Sequence, residues 1–186
     1  MALTYYRTFD SPIGILTLAG EGDSLTNLVL EDVAHPPADR RGWVEDPTAF
    51  CEVAEQLHDY FAGERTEFDV AVRPAGTDFQ RVVWDALKKI PYGETRSYGD
   101  IASAIGRPGA SRAVGLANGR NPIAIIIACH RVIGADGSLT GYGGGLKVKQ
   151  ALLDLERGVA AKRPRCTGAT RASTPEARRL LRTSAG

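Results

Sequence analysis

Two closely spaced helix-start signals in the second half of the chain constrain its fold more than any other feature. Thr77 is followed three positions later by Gln80, and Ser97 is followed three positions later by Asp100. A hydroxyl residue with a polar acceptor at this spacing forms a capping box, in which each side chain binds a free backbone N–H group of the first helical turn. The sequence therefore predicts two helices that begin close to Thr77 and Ser97.

The residues that follow each box predict where these helices end. The first helix is expected to run to Ile90 and to stop at the Pro-Tyr-Gly sequence of residues 91–93, and the second is expected to stop at Gly106. After a tight turn, a third helix is predicted over residues 110–117. Two short helices joined by a tight turn are typical of a helix-turn-helix.

The first part of the chain has the pattern of strands followed by one helix. Residues 3–9, 13–19 and 25–30 are apolar segments separated by turn signals, which predicts an antiparallel meander. Asp46-Pro47 is interpreted as the cap of an amphipathic helix that Gly63 ends. The expected fold class is α+β, with an N-terminal antiparallel sheet plus helix and a C-terminal, mainly helical domain that carries an active-site loop.

Charge divides the chain into three blocks of different character. Residues 1–72 hold 14 acidic and 4 basic residues, residues 73–156 hold 7 and 11, and residues 157–186 hold 1 and 8. We therefore predict an N-terminal α/β domain over 1–72, an active domain over 77–156 and a basic, disordered tail over 157–186. A positive active block favours a polyanionic partner, although ordinary solvated charge explains it equally well.

The cysteines and the hydropathy exclude several classes of protein. Cys51, Cys129 and Cys166 are odd in number and widely spaced, which argues against a disulfide framework and a structural zinc site. No apolar segment approaches the ~20 residues of a membrane span, and no export signal is evident. A cytoplasmic protein without a membrane partner is expected.

A possible reaction centre follows the apolar residues 125–127. There Cys129, His130 and Arg131 are consecutive, after Ala128. A free cysteine with a pKa of ~8.5 is only slightly ionised at neutral pH, so a nearby base would matter. Because adjacent side chains point apart on an extended backbone, a bridging water or a local turn is needed to connect the thiol and the imidazole. Taken alone, a cysteine that closes an apolar run more often packs in a core.

Glu156 is a second candidate, on a last helix that begins near Leu146. A carboxylate near a helix C-terminus is unfavourable unless a positive group partners it, and His130 could be that partner. Spacing alone favours an exposed surface glutamate.

Taken together, these residues resemble the O6-alkylguanine-DNA alkyltransferases, also called methylated-DNA-protein-cysteine methyltransferases. The resemblance covers residues 77–156 strongly, and residues 3–72 are similar to the less distinctive N-terminal domain of that family. It rests on motifs in a fixed order: Tyr98, the helix Ser111-Arg112-Ala113-Val114-Gly115, Asn121-Pro122, Cys129-His130-Arg131-Val132, Tyr142-x-Gly144-Gly145 and Glu156.

The resemblance implies a single-turnover repair reaction on double-stranded DNA. In that reaction Cys129 takes the alkyl group from guanine O6, and less readily from O4-alkylthymine, and keeps it. His130 is then the base acting through water, Glu156 orients His130, and Tyr98 helps to flip the nucleotide and to protonate the departing guanine. A base must leave the stack before a side chain can reach its O6 group in line. The resemblance further implies no cofactor, a monomer, and an undecided degree of cooperative binding on DNA.

The same resemblance assigns residues to the substrate pocket and to the DNA surface. Arg112 fills the place of the flipped base, and Asn121 is a hinge between the DNA-reading helix and the active site. The substrate-binding residues are Asn121, Val132, Tyr142 and Gly143, and the DNA-binding residues are Tyr98, Gly99, Arg107, Arg112, Ala113, Gly115 and Ala135.

The chain departs from the family pattern at three points. Ala128 replaces the proline that usually precedes the cysteine, and Gly143 stands where a serine is common. The first block also lacks the cysteine and histidine set that binds zinc in some members, so no metal is predicted. Two alternatives remain open: a lesion sensor that binds alkylguanine without repairing it, and a Cys-His hydrolase that regenerates its thiol.

Overall fold

A computed structural model of the protein describes residues 3–31 and 40–162. The sheet of the first half has four strands in the order β3-β2-β1-β4. The three predicted strands are present and antiparallel, with Tyr5 opposite Gly20 and Leu16 opposite Leu30. The bounds are β1 Tyr5–Ser11, β2 Gly14–Glu21, β3 Ser24–Leu30 and β4 Val44–Glu45. The short β4, which the sequence analysis missed, pairs parallel to the edge of β1.

Helix α1, Cys51–Ala62, packs beside this sheet and begins later than predicted. Asp46 does not cap it: its carboxylate instead accepts hydrogen bonds from the N–H and hydroxyl groups of Thr48, which closes a separate turn. That interpretation was wrong because aspartate two residues before a free N–H group forms a local Asx turn as readily as a helix cap. Gly63 ends α1 as predicted, with a φ of 77° that suits glycine.

Both capping boxes are confirmed in the second half. Thr77 caps α2, Asp78–Leu87, and Ser97 caps α3, Tyr98–Ala104. Helix α2 stops before Ile90, because its last residues tighten into turns ahead of Pro91. Helix α4, Ser111–Gly119, packs against α2 and α3, and the indole N–H of Trp84 donates to the carbonyl of Ala117 at 2.9 Å. The predicted helix-turn-helix is therefore α3 and α4, and the α+β fold class is confirmed.

Two further elements complete the described chain. Strands β5, Arg96–Ser97, and β6, Val132–Ile133, form a small parallel pair that the sequence did not indicate. Helix α5, Leu146–Lys162, begins where predicted and continues through 157–162, residues that the charge pattern had placed in the tail. The rest of that tail, 163–186, lies outside the described residues. No described helix has the length and apolarity that a bilayer span requires.

The two halves share one hydrophobic core. A single cluster of buried side chains includes Leu18 and Leu57 from the first half and Val83 and Leu152 from the second. The backbone of Leu28 in β3 also binds the segment that leads to Cys129: its N–H donates to Pro122 and its carbonyl accepts from Ala124. The sheet thereby fixes the position of the loop that carries the cysteine.

Candidate functional site

The loop before Cys129 folds into turns. Ile125 has a φ of 69°, which a β-branched residue adopts rarely and at a cost of order 1–3 kcal/mol. Asn121 holds the loop closed, because its side-chain N–H donates to the carbonyl of Ile127 at 2.8 Å and its oxygen accepts from the N–H of Ile123 at 3.0 Å. Asn121 thus lies between α4 and the Cys129 turn, and its role as a hinge stays a prediction.

Cys129 begins a 3₁₀ turn, Cys129–Arg131, so the local turn that the sequence analysis required is present. Its side chain lies in the core, and the residue is only 5% exposed. Burial raises the pKa of the Cys129 thiol, while a hydrogen bond with Asn121 and the positive charge of Lys149 act to lower it. From the inner face of α4, Asn118 donates to the Cys129 carbonyl at 3.4 Å. The thiol is thus held in place and needs a base to ionise.

His130 is the candidate for the base that ionises Cys129, and its side chain is fully buried. Its Nε2 lies 2.8 Å from Oε1 of Glu156, which is an ion pair only when the imidazole is protonated. Burial lowers the pKa of His130, outweighing the hydrogen bond and charge of Glu156, so the neutral ring is the form expected at pH 7. In that form Nε2 carries the proton that Glu156 accepts, and Nδ1 is left with a lone pair. Nδ1 has no hydrogen-bond partner among the described residues.

Glu156 is the centre of the buried network and not the exposed residue that its spacing favoured. Arg131 binds it with two nitrogens, Nε to Oε2 at 2.8 Å and Nη2 to Oε1 at 2.9 Å. The backbone N–H of Gly93 adds a bond to Oε2 at 3.1 Å, and the hydroxyl of Tyr60 donates to Oε1 at 2.7 Å. Burial alone raises the pKa of Glu156, but the hydrogen bonds and charges of His130 and Arg131 hold it down to about 2. Glu156 is therefore ionised throughout the neutral range.

Sequence reasoning missed two members of this network. Arg131 was noticed only as a neighbour of the cysteine, yet its third nitrogen, Nη1, also donates to the carbonyl of Ile90 at 2.6 Å. Tyr60 lies 96 residues before Glu156 and belongs to the first half of the chain. No local pattern connects residues so far apart, although the position of Tyr60 on the apolar stripe of α1 did predict its burial.

Two of the predicted substrate residues, Val132 and Tyr142, lie near Cys129: the Val132 N–H donates to the Cys129 carbonyl, and Tyr142 is close enough to interact with the thiol electrostatically. Tyr142 has a buried hydroxyl without a hydrogen-bond partner in the described part of the chain, and burial raises its pKa well above the usual value. Lys149 is buried, and its ammonium group donates to the carbonyls of Val132 and Thr140. Gly143 is exposed, and a side chain added there would meet no atom within 4 Å. Val132 and Tyr142 are thus placed beside Cys129, whereas Gly143 lies on the surface of its loop.

The predicted DNA residues lie on and around α4. Arg112 and Ala113 are on its exposed face with Leu116, which is 68% exposed, and Arg120 follows one turn later. Gly115 packs against Tyr98: a Cβ added there would lie 3.7 Å from the tyrosine ring.

The remaining predicted DNA residues surround this helix. The Tyr98 hydroxyl accepts a hydrogen bond from Thr140 at 3.2 Å, and Gly99 lies beside the Ser97 and Ser111 hydroxyls. Arg107 is exposed above the ring of Phe79, and Ala135 is on an exposed turn. This surface joins a positively charged helix to the loop that covers Cys129.

The described residues contain no group of three or more His, Cys, Asp or Glu side chains that could hold a metal ion. The side chains gathered at the site are a buried thiol, a neutral imidazole and an ionised carboxylate. Such a set can activate a sulfur nucleophile.

Two family models match almost all of the described chain. Residues 4–74 match the ribonuclease-like domain of 6-O-methylguanine DNA methyltransferase, and residues 78–158 match the DNA binding domain of the same family. A curated relative from Mycolicibacterium paratuberculosis, named methylated-DNA--protein-cysteine methyltransferase, is 65% identical over 152 residues, which are 82% of this chain and 92% of the relative.

Solved structures give the same result. The O6-methylguanine methyltransferase of Mycobacterium tuberculosis superposes with a TM-score of 0.80 at 61% identity, over 87% of this chain and 96% of that one. A structure of the Mycobacterium tuberculosis OGT in complex with DNA also superposes with a TM-score of 0.80, at 62% identity over 83% and 94% of the two chains.

Proposed function

This chain belongs to the 6-O-methylguanine DNA methyltransferase family, and we propose that it repairs DNA by moving the alkyl group of O6-alkylguanine irreversibly to Cys129. The observation that carries this proposal is the arrangement of Cys129, His130 and Glu156: a buried thiol next in sequence to a neutral imidazole whose Nε2 is engaged by a carboxylate. Chemistry is assigned to residues 77–156, and residues 1–72 form a domain that supports them.

The free Nδ1 of His130 supports its role as the base. Since Nδ1 has no partner among the described residues, it does not bond directly to the Cys129 sulfur. A water molecule between the two atoms would accept the thiol proton and pass its own to Nδ1. Glu156 stabilises the imidazolium that results, because it is already ionised and bonded to Nε2.

Alkyl transfer needs no reactant other than the protein and the alkylated DNA. The Cys129 sulfur forms a bond to the alkyl carbon as the bond between that carbon and guanine O6 breaks. The thiol hydrogen leaves through His130, and the guanine gains a proton, for which Tyr98 is the proposed donor. The product thioether is stable, so each molecule reacts once.

The surface of α4 supports binding of duplex DNA containing O6-alkylguanine. A helix with small side chains at Ala113 and Gly115 allows close approach to a groove, and Arg112 is free in solvent to enter the base stack. Contacts of this kind are mainly with the DNA backbone and give little dependence on sequence context. We also infer that the protein acts as a monomer in the cytoplasm.

Mass spectrometry tests this function directly. The protein is mixed with duplex DNA that contains one O6-methylguanine, and the intact protein and its peptides are weighed. We expect one CH₂ increment on the Cys129 peptide, stopping at one equivalent. The Cys129→Ser variant should gain nothing, and the control variant Cys51→Ser, which changes an exposed thiol, should react like the parent.

The same experiment separates the alternatives. A lesion sensor would bind the duplex tightly and show no increment. A Cys-His hydrolase would turn over many molecules of an ester or amide and regenerate its thiol. The presence of Cys129 favours transfer over a lesion sensor, and the match of residues 78–158 to the DNA binding domain of the methyltransferase family favours it over a hydrolase.

A further inference from the structure

Tyr60 connects the N-terminal half of the molecule to the active-site carboxylate. It lies on α1, is fully buried, and donates a hydrogen bond of 2.7 Å to Oε1 of Glu156 on α5. The same oxygen accepts hydrogen bonds from Nε2 of His130 at 2.8 Å and from Nη2 of Arg131 at 2.9 Å. One carboxylate oxygen is therefore shared between the base of the reaction and a side chain from the other domain.

The position of the Tyr60 hydroxyl is fixed by the rings around it. Phe61 packs edge-on at 5.3 Å between ring centroids, Phe68 lies at 5.4 Å, and Tyr92 packs edge-on at 6.0 Å. Phe61 and Phe68 come from the first half of the chain and Tyr92 from the second. A ring held from both sides has few rotamers, so its hydroxyl is directed at Glu156 at little further entropic cost.

The hydroxyl remains a neutral donor. Burial and the adjacent charge of Glu156 raise the pKa of Tyr60 well above its usual value, while Arg131 opposes this shift. A donor on Oε1 withdraws charge from the carboxylate and weakens its attraction for the proton of His130. The charges that act on the pKa of His130 are those of Glu156, Arg131 and Lys149, and the titratable thiol of Cys129 is its neighbour in sequence. Tyr60 acts on Glu156.

We propose that Tyr60 is a positioning residue for alkyl transfer, which fixes Glu156 and sets how strongly the carboxylate holds the proton of His130. The N-terminal domain then completes the active site as well as supporting it. This inference rests on the proposed function, since it assumes that His130 is the base for Cys129.

The test is the pH dependence of transfer in the Tyr60→Phe variant of the full chain. The rate of Cys129 alkylation is measured under single-turnover conditions with free O6-benzylguanine and with a lesion duplex. Loss of the donor leaves Oε1 more basic, so the pKa of His130 should rise and the acid limb of the rate should move to higher pH. We expect a three- to tenfold slower reaction on the acid limb, equal for the free base and the duplex.

A matched control separates this role from packing. Phe68→Leu disturbs the same aromatic cluster but leaves the Tyr60 hydroxyl in place, so it should lower stability without moving the pH profile. An NMR titration of the His130 ring, assigned with a His130→Gln variant, reads the pKa change without any reaction.

Each outcome decides between the possibilities. An unchanged profile and an unchanged His130 titration in Tyr60→Phe would overturn the proposal, as would an equal shift in Phe68→Leu. If the parent protein is never alkylated, the proposed function itself fails, whereas the NMR titration still shows whether Tyr60 controls His130.

Discussion

The buried network around Glu156 and the outer face of α4 differ in what their side chains contact. Both oxygens of Glu156 are bonded, to four donor residues from three separate parts of the chain: Tyr60, Gly93, and the adjacent pair His130 and Arg131. The outer face of α4 instead presents Arg112, Ala113 and a leucine that is 68% exposed. The network is explained by contacts inside the protein, whereas the α4 face is exposed and is the surface that we propose binds DNA.

Because the two regions differ in this way, the effect of a variant shows which region the substitution has changed. Changes in the network should alter stability and the reaction with every substrate, including free O6-benzylguanine. Changes on the α4 face should alter only the reaction with duplex DNA, because the free base does not need to be flipped from a stack.

Glu156→Gln should show the largest effect. The substitution leaves Arg131 as a buried cation without its anion, and breaking a buried pair in this way costs about 3–5 kcal/mol of stability. Transfer to Cys129 should fall by at least about a hundredfold with both substrates, because the imidazolium loses its stabilising charge. Urea unfolding and single-turnover kinetics measure the two effects.

Asp154→Asn is the control, since it removes an exposed carboxylate from the same helix, where it accepts a hydrogen bond from Gln150. If Glu156→Gln reacted normally with the free base and failed only on duplex DNA, the division between the two regions would be wrong.

Acidification should have the second-largest effect, because it removes the stability that the ionised Glu156 network contributes. The pKa of Glu156 is about 2 in the folded protein against a usual 4.5, so the unfolded chain binds the extra proton between these values. The stability from this group is complete above pH 4.5 and is lost as the pH falls toward 2, by up to about 3 kcal/mol. His130 acts in the same direction, because its pKa lies below 6.5 and stability falls as the unfolded chain protonates below that pH.

Urea unfolding between pH 7 and pH 3 measures this loss. The Asp154→Asn variant should follow the parent curve. A free energy of unfolding that stays constant between pH 4.5 and pH 3 would mean that Glu156 is not held ionised by its partners.

The two regions also differ in how far the sequence predicts them. The capping boxes at Thr77 and Ser97 fixed α2 and α3 because each depends on residues three positions apart. The motif residues on and around α4 could be assigned in advance through the family resemblance. The resemblance also paired Glu156 with His130, a contact that the structure contains, but it did not indicate Tyr60 and Arg131, which reach the carboxylate through the tertiary fold.

Competing hydrogen bonds explain the remaining differences between the sequence and the structure. Asp46 had two ways to bind backbone N–H groups, and it closes a turn instead of capping α1. The apolar residues 125–127 carried no prediction of their fold, and the hydrogen bonds of Asn121 and of Leu28 bend that segment into turns. The Asp46 turn is decided by a residue two positions away, whereas the turns of residues 125–127 also depend on Leu28, which is distant in sequence.

Arg112→Ala tests the α4 face and should have a smaller effect than either change in the network. We expect the reaction with lesion duplex to slow by about ten- to a hundredfold, because the place of the flipped base is left unfilled and unstacking costs a few kcal/mol. Stability and the reaction with free O6-benzylguanine should remain those of the parent. Stopped-flow alkylation with each substrate makes the comparison.

Arg81→Ala removes an exposed arginine from α2, where it pairs with Asp78, and serves as the control for general loss of charge. If both arginine variants slowed the duplex reaction equally, the effect would come from net charge and not from the position of Arg112.

Ala128→Pro should have the smallest effect. The substitution directly precedes Cys129, where the Glu156 network and α4 meet. The φ of Ala128 is −73°, which a proline ring can adopt, so the substitution should stabilise the protein by about 0.4–1 kcal/mol through a less flexible unfolded chain. Because the Cys129 turn keeps its geometry, the rate of transfer should change by less than twofold with both substrates. Thermal unfolding and single-turnover kinetics provide the measurements. A large fall in rate with either substrate would show that alanine at this position gives the loop a freedom that the reaction uses.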